Sequence, residues 1–72
     1  MNEVTTKIRE TVNKVLHSER ILYIEIQFAK TEYEEVWNTL QEEKIFDIPY
    51  LHVKLMVDTE KCILVIGAGD LE

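Results

Sequence analysis

Five consecutive apolar residues, Cys62-Ile63-Leu64-Val65-Ile66, constrain this chain more than any other feature. A strand sends alternate side chains to opposite faces, so an unbroken apolar run belongs where both faces are covered. Such a strand sits in the middle of a sheet and needs a neighbour on each edge. Two other segments have the required period of two. In Ile21–Ala29, Leu22, Ile24, Ile26 and Phe28 point one way, and Ile21, Tyr23, Glu25 and Gln27 the other. In Tyr50–Val57, Leu51, Val53, Leu55 and Val57 alternate with Tyr50, His52, Lys54 and Met56. Lys54, His52 and Pro49 mark the latter as an edge strand. The polar turn Asp58-Thr59-Glu60-Lys61 joins it to the apolar run as an antiparallel hairpin.

Two segments have helical spacing instead. Val4, Ile8, Val12, Val15 and Leu16 make one stripe, with Asn2 as a possible N-cap and an end near His17–Ser18. Glu3–Lys7 and Glu10–Lys14 are i,i+4 pairs in the favourable order. Thr31-Glu32-Tyr33-Glu34 fits a capping box, predicting a helix from about Glu32 to Glu43. Its stripe is Tyr33, Val36, Trp37 and Leu40, with Trp37 expected as a core anchor. Lys44 suits the negative end of that helix. The apolar connection Ile45–Pro49 should cover one end of the core, and Gly67–Glu72 reads as a tail.

The order is α-β-α-β-β, a single α+β domain over residues 1–72. A β-α-β unit joined right-handedly, with the last strand inserted between its two strands, gives a three-stranded antiparallel sheet of order 1-3-2. Both helices should lie on the face formed by Leu22, Ile24, Ile26, Phe28, Leu51, Val53, Leu55, Val57, Cys62, Leu64 and Ile66. The opposite face then carries Ile21, Tyr23, Met56, Ile63, Val65 and Tyr50 beside Glu25, Gln27, His52 and Lys54. That face is about half apolar, and patches of this kind on small proteins mark interfaces. A first helix crossing to that side would also cover it.

A domain of 72 residues has little net stability to spare. Cys62 is the only cysteine, so no internal disulfide can form. Self-association is the remaining device, and a homodimer through Ile21, Tyr23, Met56, Ile63 and Val65 is expected.

Charge narrows the partners. The net charge is −6, and residues 30–48 hold Lys30 and Lys44 against Glu32, Glu34, Glu35, Glu42, Glu43 and Asp47. Direct nucleic-acid binding needs clustered Lys and Arg, and anionic membrane surfaces are disfavoured for the same reason. No apolar run is long enough to span a membrane, and no secretory leader is visible, so a cytoplasmic location is expected. Glu32, Glu35 and Glu42 could meet a partner protein with a basic surface. In a sharper form, their carboxylates would imitate phosphates and inhibit a nucleic-acid-binding protein.

No pattern points to catalysis or to a cofactor. Ile63–Gly69 reads ILVIGAG, like the opening of a dinucleotide-binding fingerprint, but the third glycine and the receiving helix do not follow in the sequence. Gly67 and Gly69 are expected to release the backbone from the sheet instead. His17, His52 and Cys62 lack metal-ligand spacing, and Cys62 reads as a small core residue. The reading is a small acidic, non-catalytic, regulatory interaction protein. One alternative is a subunit whose ligand or active site forms only at a dimer interface, around Tyr23, Glu25, Tyr50 and His52.

Overall fold

A computed structural model describes residues 3–19 and 23–68. Asn2, Ile21, Leu22 and Gly69, singled out above, lie outside the described residues. Helix α1 spans Glu3–His17, strand β1 Tyr23–Ala29, helix α2 Tyr33–Glu42, strand β2 Leu51–Val57 and strand β3 Lys61–Ala68. Short 3₁₀ turns at Lys30–Glu32 and Ile45–Asp47 flank α2. The sheet order is β1-β3-β2, with β3 antiparallel to both neighbours. This is the α+β arrangement that the apolar run required.

The register sorts the side chains into rows. On the inner face, Ile24, Ile66 and Val53 lie abreast, then Ile26, Leu64 and Leu55, then Phe28, Cys62 and Val57. Both helices contribute to the core over this face: Val4, Ile8, Val12 and Val15 from α1, and Val36 and Leu40 from α2. Helix α1 therefore does not cross to the outer face. Ile45 closes one end of the same core, as expected of the apolar connection.

Several local expectations give way to tertiary packing. Leu16 is 45% exposed and Trp37 41% exposed, so neither anchors the core. Trp37 instead meets Phe46, their ring centroids 5.6 Å apart. The helix-facing surface is narrower than the sequence stripe, and Val36, Thr39 and Leu40 fill it. The Thr31–Glu34 capping box does not form. The chain makes a 3₁₀ turn first, and Glu32 Oε1 accepts the Ala29 N–H at 3.0 Å. Among the described residues, neither i,i+4 pair on α1 closes as an ion pair. Arg9 reaches across to Glu43 instead, and Lys7 Nζ sits 5.8 Å above the Phe28 ring. Gly67 does not begin a tail but lies within β3, abreast of Tyr23 and His52.

Two non-glycine residues adopt positive φ: Lys44 at 55° and Tyr50 at 64°. Lys44 follows the end of α2, and its N–H bonds to Gln41 O at 3.2 Å. Tyr50 follows Pro49 in a turn that the Leu51 N–H closes onto Ile48 O at 3.3 Å. Pro before a positive-φ residue is the pattern of a type II turn, whose third position favours glycine. It also lifts Tyr50 off the sheet, at 80% exposure, and so removes it from the expected outer-face set. A side chain in this region costs about 1 kcal/mol relative to glycine. Lys44→Gly and Tyr50→Gly should each raise the melting temperature by roughly 4–8 °C, read by circular dichroism. A lowered temperature for either would show that its side chain contributes more than its backbone costs.

Candidate interaction surfaces

The outer sheet face follows from the same register. Lys61, abreast of Ala29, begins the outward side of β3, and the rows that cross all three strands are Tyr23, Gly67 and His52, then Glu25, Val65 and Lys54, then Gln27, Ile63 and Met56. Each reads β1, β3, β2 across the sheet. Tyr23, Met56, Ile63 and Val65, expected at an interface, thus share one surface. Ile63 and Val65 are partly exposed in the centre, and Tyr23 is 62% exposed at the edge. His52 and Glu25 share the face as the sequence pattern requires.

Gly67 has no side chain to fill its place in the first row. The result is a shallow recess of about 280 Å³, lined by Tyr23, His52, Val53, Lys54, Val65 and Gly67. Sequence reasoning missed it, because a glycine at the end of an apolar run reads equally well as the end of a strand. The signal available was the continued alternation: Gly67 holds the outward position after Ile63 and Val65.

Charge on this face is ordered. Glu25 on β1 and Lys54 on β2 flank Val65 on opposite sides. They stand two strand spacings apart, roughly 10 Å, and form no ion pair with one another. Glu25 instead accepts a hydrogen bond from Gln27 Nε2 at 3.4 Å.

The acidic residues of α2 are less uniform than their sequence suggests. Glu35 and Glu42 are exposed on α2, seven residues and about 10 Å apart along its axis. Glu32 lies before the helix, and its carboxylate is engaged by Ala29. Glu43 is engaged by Arg9, whose Nε donates to Oε1 at 2.7 Å and Nη2 to Oε2 at 2.8 Å. These hydrogen bonds hold the Glu43 carboxyl below the usual carboxylate range and raise the Arg9 guanidinium. The pair rims a groove of about 400 Å³ floored by Val12, Leu16, Ile45 and Ile48.

Cys62 is fully buried under the helices. Burial pushes its thiol up, and the charge of Glu32 adds to the shift, which keeps it protonated and unreactive. Among the described residues, no three His, Cys, Asp or Glu side chains cluster as a metal site, and no helix is long and apolar enough to cross a membrane. Comparison with family models, curated proteins and solved structures yields no match to this chain.

Proposed function

We propose that this chain is a small acidic interaction protein, non-catalytic and regulatory, that works as a pair of copies joined through the outer faces of their sheets. One observation carries the reading. Ile63 and Val65 stay partly exposed in the middle of a face bordered by Tyr23 and Met56, while both helices pack on the other side. An apolar centre with a mixed, more polar border is how interfaces are built. Pairing through this face leaves both copies of α2 outermost. Their exposed Glu35 and Glu42, with Glu32 just before the helix, are then available to a basic partner protein.

The test is the solution mass by light scattering across a dilution series. The expected result is a mass twice the 8.5 kDa of the chain at high concentration, falling on dilution. The footprint is small: seven residues by three strands is about 23 by 14 Å, roughly 320 Å² per copy, below the standard size of a stable interface and suited to a weak, transient pair. Dissociation in the micromolar range is therefore expected, on the order of −8 kcal/mol. A single-copy mass throughout the series rules out self-pairing.

A further inference from the structure

The order of charge on the outer face specifies how a second copy lies on it. Two sheets stacked face to face by a two-fold axis leave two simple choices. The axis runs between the sheets, either parallel to the strands or perpendicular to them. An axis parallel to β3 exchanges left and right but keeps each row at its own height. β1 of one copy then lies over β2 of the other. Glu25 faces Lys54 of the second copy and Lys54 faces its Glu25, while on the axis Val65 meets Val65, Ile63 meets Ile63 and, at the exposed end of the strand, Lys61 meets Lys61, one like-charge contact against two opposite-charge pairs. In the row above, Tyr23 of each copy lies over His52 of the other, beside the recess left by Gly67.

A perpendicular axis keeps β1 over β1 and inverts the rows. Centred on Val65, it sets Glu25 against Glu25 and Lys54 against Lys54. Displaced to lie between the rows of Val65 and Ile63, it sets Lys54 against Met56 and Glu25 against Gln27. The first is repulsive, and the second buries Glu25 and Lys54 without a counter-ion. Packed sheets lie about 10 Å apart, a gap that a glutamate and a lysine can bridge from opposite sides.

We infer that the outer face is self-complementary: a second copy of this chain docks across a two-fold axis parallel to β3, joined by two reciprocal Glu25–Lys54 ion pairs around a Val65 centre. This orientation rests on the proposal that the chain pairs through this face. Electrostatic order of this kind fixes register and excludes wrong pairings more than it adds affinity.

Charge reversal tests it. Glu25→Lys places lysine opposite Lys54 at both contacts, and Lys54→Glu places glutamate opposite Glu25. Each single variant should raise the dissociation constant about tenfold or more, measured by light scattering or sedimentation. The double variant Glu25→Lys with Lys54→Glu restores opposite charges and should return to within about threefold of the parent. Both positions are exposed, and circular dichroism melting checks that each variant is folded. Glu25→Gln and Lys54→Gln serve if a reversal disturbs the strand, with a smaller loss expected. Single reversals that leave the constant unchanged overturn the parallel axis, as does a double variant weaker than either single. In those cases face pairing itself survives if Val65→Lys still separates the copies. A parent protein that is single at every concentration, or a Val65→Lys variant that still pairs, overturns both the orientation and the reading beneath it.

Discussion

Replacing Leu64 by alanine should leave a large fraction of the protein unfolded in mild denaturant. Leu64 is fully buried at the centre of β3, abreast of Ile26 and Leu55 and beneath both helices. Removing its side chain loses the transfer free energy of the deleted carbons and leaves a cavity, about 3 kcal/mol or more in comparable sites. A domain of this length has a total stability of roughly 4–10 kcal/mol. One truncation therefore removes about 30% of it or more. Urea unfolding followed by circular dichroism should show the midpoint falling by about 3 M or more, given a slope near 1 kcal/mol/M for so small a chain. Leu16→Ala is the control. Leu16 is substantially exposed, so its truncation should cost under about 1 kcal/mol. Equal losses at the two positions would contradict the placement of the core.

Replacing the next residue, Val65, by lysine should do the opposite. Val65 points to the outer face and is partly exposed, so the free chain keeps its core and its melting temperature changes little. Self-association should fall at least a hundredfold, about 3 kcal/mol. Two effects combine. In the proposed pair each copy would lose an apolar contact at the middle of the patch, and the two introduced ammonium groups would face one another on the proposed axis. Light scattering on a folded variant reads the loss directly. A Val65→Lys protein that melts normally and retains the doubled mass would place the contact elsewhere. The free edge of β1 would then be the next surface to mutate, since it carries no lysine or proline to discourage pairing.

The two variants differ by one position in sequence and by a whole face in space. That contrast is legible in the residues themselves. Five apolar residues in a row require a strand with contacts on both faces, and the alternating runs on either side show which residues share each face. The apolar run, the edge residues Lys54, His52 and Pro49 and the right-handed crossover give the order β1-β3-β2, and side-chain parity then puts Tyr23, Met56, Ile63 and Val65 on one surface. The reason is that a strand has only two faces, so parity decides everything once the partners are known.

Helices are harder to read. A helical stripe gives a direction but not a width, and Tyr33, Val36, Trp37 and Leu40 read equally well as core. The neighbouring elements determine that Val36 and Leu40 are covered while Trp37 leans outward onto Phe46. The ion pairs behave likewise. Glu3–Lys7 and Glu10–Lys14 are neighbours on one helix, yet exposed i,i+4 pairs gain only a few tenths of a kcal/mol. Arg9 and Glu43 are far apart in sequence, but helix packing brings them into a two-point contact. The segment at Pro49–Tyr50 reads as plain extended chain, because a tyrosine gives no sign that it will accept the positive φ of a turn.

Local periodicity and side-chain parity are enough to set the elements and the apolar character of each strand face, because both are written within single segments, and the right-handed crossover rule adds the order in the sheet. Three further features arise only on folding: α1 leaves that face open, Gly67 cuts a recess into it, and Glu25 and Lys54 flank Val65 in one row. They depend on pairing between strands distant in sequence, where the relative register of three segments fixes the geometry and no one segment contains it.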